Sequence, residues 1–142
     1  MENREKKRLL NSYRQLVKQE QVLKDALEYN RERYLAGSPK YDGMPHGNSQ
    51  SDLSSYVAKA ESLLDELQDV MTRKHETLRL ILRSIEALPN ETEKTVLMLR
   101  YIRGMTFEDV AKEIGRSYRH VTRLHGSALA HFNPGKAERA ER

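Results

Sequence analysis

Cysteine and tryptophan are absent from this 142-residue chain, and it holds only 4 prolines and 7 glycines. Without cysteine there is no disulfide framework and no thiolate metal site, which fits a reducing compartment. No apolar run approaches a membrane span, and the basic start MENREKKRLLNSYRQ lacks the apolar stretch of a signal peptide, so a soluble, cytoplasmic protein is expected. Aromatic residues make up 6% and hydrophobic residues 37%, against 32% charged, so apolar surface should be buried along helical seams more than in one thick core. A large enzyme with a deep cleft is excluded by length. No glycine-rich phosphate loop or Ser-His-Asp set occurs, and His120, His125 and His131 are spread around a helix instead of aligned at the i, i+4 spacing of a helical zinc site. No catalytic residue, metal or cofactor is expected.

Charge is present in quantity, and its position is informative. The net charge is +4. Residues 1 to 36 carry nine basic against six acidic side chains, and residues 49 to 88 carry five against seven. From Lys94 to Lys136 the balance is eight against three, with no acid between Gly115 and Lys136. A basic segment of this kind is the electrostatic footprint of a phosphate-binding surface, although charge alone fits a merely solvated face equally well.

The pattern along the chain is helical throughout, which predicts an all-α fold. Residues 2 to 36 contain no proline and stop at Ala36-Gly37-Ser38-Pro39; Leu9, Tyr13, Leu16, Leu23, Leu27 and Tyr34 form an apolar line interrupted by Glu20 and Asn30. SPKYDGMPHGNSQ, at 38–50, has the turn residues of a loop, with Tyr41, Met44 and His46 as its larger side chains. From Asp52 to Leu88 a heptad seam runs through Leu53, Val57, Ala60, Leu64, Leu67, Met71, Lys74, Leu78, Ile81, Ile85 and Leu88, with Tyr56, Leu63 and Val70 beside it. The economical arrangement is a long antiparallel, coiled-coil-like hairpin over residues 1–88 with its loop at 37–50. Pairing between chains uses the same seam, so a homodimer is also expected.

Pro89 ends the second helix, and a third is predicted from Glu91 to Arg103, stopped by Gly104. Thr106 then caps a short helix whose Phe107, Val110, Ala111 and Ile114 share a face; Gly115 supplies the turn; Ser117 caps a further helix with Val121, Leu124 and Ala128 on one side. Two short helices joined by a glycine-containing turn make a helix-turn-helix, here within a small domain at 89–133, followed by a flexible tail at 134–142. With Val121 and Leu124 inward, Arg119, Thr122, Arg123 and Gly126 face outward, flanked by Tyr118 and His120. Arg119 and Arg123 are suited to bidentate contacts with guanine and Thr122 to a thymine methyl, while Arg116 and Ser117 are placed for backbone phosphates.

The stretch LPNETEKTVLMLRYIRGMTFEDVAKEIGRSYRHVTRLHGSALAHF, Leu88 to Phe132, resembles region 4 of the bacterial sigma-70 family. The likeness rests on LP before an acidic helix start, LRY ending at Tyr101, the G-x-T-x-E-(D/E)-(V/I)-A run and the Gly turn before an Arg-rich helix. Arg116 departs from it, standing where many such turns carry an apolar residue. The whole chain looks like the small sigma-like regulators of Gram-positive prophages and mobile elements, the ArpU-type late regulator group. This resemblance implies promoter reading in the major groove by the 117–129 helix through Tyr118, Arg119, His120, Thr122 and Arg123, and contact with RNA polymerase. The hairpin stands where a sigma factor has its promoter-melting region, so the chain is not expected to act alone as a complete sigma factor. The expectation is a DNA-binding transcription regulator; the alternative is a DNA-packaging assembly protein similar to a phage small terminase subunit, and a structural coiled-coil adaptor is a third.

Overall fold

The computed structural model describes residues 1–37 and 49–140. The loop residues 38–48, including Tyr41, Met44 and His46, lie outside the described residues. The chain is all-α: a long helical hairpin, α1 (Asn3–Ala36) and α2 (Ser49–Glu86), is followed by α3 (Glu91–Leu97), α4 (Phe107–Ile114), α5 (Tyr118–His131) and α6 (Pro134–Ala140). No strand occurs among the described residues, and none of the helices is long and apolar enough to cross a membrane. Two compact units divide the chain, Val17–Thr72 and Met1–Leu16 with Arg73–Arg142.

In Val17–Thr72 the hairpin pairs within the chain. The rings of Tyr34 and Tyr56 stack with centroids 4.5 Å apart, and Asn30 Nδ2 donates to the Tyr56 carbonyl at 3.3 Å, so the polar interruption in the α1 line is satisfied by backbone. The α2 register differs from the predicted seam. Val70 is buried and Tyr56 and Leu63 are half-buried, whereas Leu53, Val57 and Leu64 are exposed. Two apolar lines run along α2 and share Ala60 and Leu67; a single partner helix covers about one such line, and α1 covers the one that contains Val70.

The other unit has two cores. In the first, Leu10 of α1 and Ile81, Ile85 and Leu88 of the α2 end pack against Leu97, Tyr101, Ala128, Leu129 and Phe132. Lys6 is buried beside this core, and its ammonium donates to the carbonyls of Leu129 at 2.6 Å and Ala130 at 3.3 Å. These are late carbonyls of α5, where helix polarity favours a cation. The second core joins Val96, Leu99, Val110, Ala111 and Val121, with Met105, Phe107, Ile114 and Leu124 around it.

The α3 segment serves both cores. Asn90 caps it, its Oδ1 accepting from the N–H groups of Thr92 at 2.8 Å and Glu93 at 3.2 Å. The single α-helix predicted for 91–103 instead ends at Leu97 and continues as one π-helical turn, Met98–Ile102, with the Arg103 N–H bonded to the Met98 carbonyl. Leu97 and Tyr101 face the first core, while Val96 and Leu99 face the second. Gly104 follows at φ 72°, a left-handed backbone conformation that favours glycine, and a Cβ there would make the Arg14 guanidinium swing aside. After α5, the polar stretch read as a tail forms α6, whose Lys136 N–H bonds to Asn133 Oδ1 and whose Pro134 and Ala137 are buried.

Because Leu10 is fully buried among residues of α2, α3 and α5, Leu10→Ala is expected to cost about 2–5 kcal/mol in urea unfolding. Amide exchange is expected to speed up in the basal end of α2 and in α5 together. Acceleration confined to α1 would contradict the shared core.

Candidate nucleic-acid interface

Three local features set the position of α5. Thr106 Oγ1 accepts from the Asp109 N–H at 3.2 Å to start α4, and Ser117 Oγ accepts from the His120 N–H at 3.1 Å to start α5. Between them Gly115 adopts φ 68° and ψ 37°, and the Arg116 N–H bonds back to the Ala111 carbonyl at 3.0 Å, closing the end of α4. The helix-turn-helix expected from the sequence therefore forms with both predicted caps and the predicted turn glycine.

The rotation of α5 follows from burial. Val121 and Ala128 are 0% exposed and Leu129 2%. Arg116, Ser117, Tyr118, Arg119, Arg123 and Gly126 are exposed, and His120 and Thr122 are half-buried. Among the described residues the guanidinium groups of Arg116, Arg119 and Arg123 make no hydrogen bond or ion pair, so they are available to an external acceptor. The Thr122 hydroxyl donates to the Arg119 carbonyl at 2.9 Å, which leaves its methyl as the more available contact. Tyr118 is 51% exposed with its ring edge-to-face against Phe107, a partly anchored aromatic at the helix start. Acidic side chains on the adjoining surface come from α4, where Glu108, Asp109 and Glu113 are exposed together with the basic Lys112.

Behind this face lie two polar assemblies that the sequence reading did not identify. His125, considered from sequence only as a metal ligand, is buried, with Nε2 2.6 Å from the Tyr101 hydroxyl and its ring edge-to-face with Phe107. The Arg100 guanidinium lies 4.6 Å over the Phe107 ring and donates to the Met105 carbonyl. Burial, followed by the positive charges of Lys7 and Arg100, pushes His125 down from 6.5 to about 4, and burial raises Tyr101, so both side chains are neutral at pH 7. Glu93 is the second centre: its Oε1 accepts from Ser127 Oγ at 2.5 Å and its Oε2 lies 2.9 Å from His131 Nδ1. Burial alone would push Glu93 up, but hydrogen bonds from Ser127 and His131 and the His131 charge outweigh it and hold the carboxyl below its usual value. Together these contacts tie α5 to α3. Among the described residues no three of His, Cys, Asp and Glu gather as a metal ion would require.

A pH dependence follows. Unfolding returns His125 to about 6.5, so between 6.5 and about 4 the unfolded chain holds a proton that the folded chain does not. Stability from neutral His125 is full above 6.5 and falls as the pH drops through that window; Glu93 acts in the same direction only below 4.5. His125→Gln, which retains a hydrogen-bonding side chain for Tyr101, is expected to shrink the drop in urea midpoint between pH 7 and pH 5. An undiminished drop would contradict this assignment.

Comparison with known proteins agrees with this geometry. Residues 87–131 match the family model described as Sigma-70, region 4. Curated relatives include the RNA polymerase sigma factor SigF of two strains of Mycobacterium tuberculosis, 41% identical over 76 residues. That alignment takes in 50% of this chain, and the chain spans 28% of the length of these relatives. No solved structure matches the chain significantly. Residues 87–131 of this protein form a sigma-70 region 4-like helix-turn-helix.

Proposed function

We propose that the protein is a sequence-specific, double-stranded DNA-binding transcription regulator that inserts α5 into the major groove of a promoter element. The observation that carries the reading is the pair of exposed, unpaired guanidinium groups of Arg119 and Arg123, opposite the fully buried Val121 and Ala128. Arg119 and Arg123 read guanine edges, the Thr122 methyl meets thymine, and Tyr118 and His120 flank them. Arg116 and Ser117 hold backbone phosphates at the positive end of the helix.

The match to Sigma-70 region 4, and the relatives named as RNA polymerase sigma factors, support contact with RNA polymerase as part of the same role. The chain takes its place with the sigma-like regulators of Gram-positive prophages, in the cytoplasm, and works as a homodimer. Its α2 stripe is wider than one partner helix covers.

Selection from random duplexes, followed by titration of the selected site, tests this. Arg123→Ala is expected to weaken specific binding by about 1–3 kcal/mol and to relax preference at one base. Arg116→Ala is expected to weaken all duplexes alike and to lower the salt dependence by about one phosphate contact. Wild-type specificity in Arg123→Ala would remove the reading face. A ring of many subunits in light scattering would favour DNA packaging over regulation.

A further inference from the structure

The uncovered line on α2 is specific in position. Leu53, Val57 and Leu64 are 45%, 40% and 52% exposed, while Leu67 and Val70, a few residues further on, are buried against their own chain. Leu67 and Val70 are the buried hydrophobic residues described in Val17–Thr72, a thin core for two helical arms. An apolar stripe that is three positions wide calls for further helices beside the first pair.

Charge identifies the occupant as a second copy of this chain. The distal part of α2 carries exposed Asp52, Glu61, Asp65, Glu66 and Asp69 against the single basic Lys59. On α1, the positions immediately after the covered Leu16, Leu23 and Asn30 are Val17, Lys24 and Arg31, and those immediately after Tyr56 and Leu63 on α2 are Val57 and Leu64. In an antiparallel pair, positions with this offset on the two helices border the same edge. Each hairpin therefore presents an apolar line on α2 flanked by Arg31 and by Lys24, which also pairs with Glu20 at 3.0 Å, with Glu61 and Asp65 on the outer side. Val22 and Tyr29, also exposed, lie roughly 160° around α1 from that edge and play no part in it.

We propose that the Leu53, Val57 and Leu64 line is a homodimer interface. Two hairpins meet there about a twofold axis as a four-helix bundle, with Lys24 and Arg31 of each copy facing Glu61 and Asp65 of the other. An isologous contact of this kind closes at two copies. The inference rests on the reading of the protein as a two-copy regulator, but it is independent of the DNA contacts.

Sedimentation equilibrium of the full chain over a micromolar concentration series is the test. The wild type is expected to have the mass of two chains, and the double variant Val57→Glu with Leu64→Glu the mass of one, with unchanged helical circular dichroism. Glu61→Lys is expected to weaken the dimer by at least about tenfold, and adding Arg31→Glu to restore it, which keeps the test open even if the double variant misfolds. A wild-type monomer, including one in which residues 38–48 shield the line, a ring of many copies, a double variant that remains dimeric, or a charge swap without rescue would each overturn the proposal. A dimer whose DNA binding ignores Arg123 leaves the interface standing and removes only the DNA reading; a monomer that binds its selected duplex does the reverse.

Discussion

The rotation of α5 about its own axis is the constraint on which the rest of this molecule depends. A helix of fourteen residues presents every direction to its surroundings, and its chemistry is decided by which stripe is withdrawn from water. Val121 in one core and Ala128 and Leu129 in the other withdraw the same stripe at both ends, so the helix cannot turn without exposing apolar surface. The caps at Ser117 and Thr106 and the left-handed Gly115 fix where α5 begins and the direction in which it leaves α4. Arg119 and Arg123 face outward as a consequence of these restraints, and among the described residues no hydrogen bond or ion pair holds their guanidinium groups.

Polar groups refine what the apolar stripe sets coarsely. Buried Glu93 has to be satisfied, and its acceptors are met by Ser127 and His131, two side chains four residues apart on α5. Neutral His125 places a further directional bond on the same helix through Tyr101. A methyl-sized core tolerates small slippage, whereas a short hydrogen bond to a buried carboxylate does not. Lys6 completes the set from α1 by donating to carbonyls at the end of α5. The first turns of the amino-terminal helix are thus part of the framework of α5, although more than a hundred residues separate them in the chain.

Local signals were legible in the sequence and distant ones were not. Thr106, Ser117, Gly104 and Gly115 each act within a few residues, and their residue types state their roles directly. The apolar line of α1 was legible for the same reason, including Asn30 as an interruption, although Leu10, the fully buried residue of that helix, lies off it. The α2 register misled because Leu53, Ala60, Leu67, Ile81 and Leu88 belong to both possible seams, and only the partner helix decides between Tyr56, Leu63, Val70 and Val57, Leu64. The π turn at Met98–Ile102 has no residue signature; it answers the need of α3 to face two cores at once. Glu93 with Ser127 and His131, and Tyr101 with His125, join residues more than twenty positions apart, which no spacing rule reaches. The α6 helix did leave a local mark, since Asn133 followed by Pro134 is a cap and a favoured first position, but the surrounding polarity obscured it.

The two lines on α2 also explain how one helix serves different partners along its length. Near its carboxyl end, Ile81 and Ile85 represent both lines, and both are buried because Leu97, Tyr101 and Phe132 lie alongside. In the distal arm the same two-line pattern continues through Leu63 and Leu64, yet among the described residues α1 alone is there to cover it. The sequence keeps the stripe wide where the chain itself supplies one neighbour, and keeping it apolar has a solubility cost unless something else covers it. The acidic surplus around that arm repels a polyanion, whereas the stretch between Gly115 and Lys136 carries no acid and attracts one.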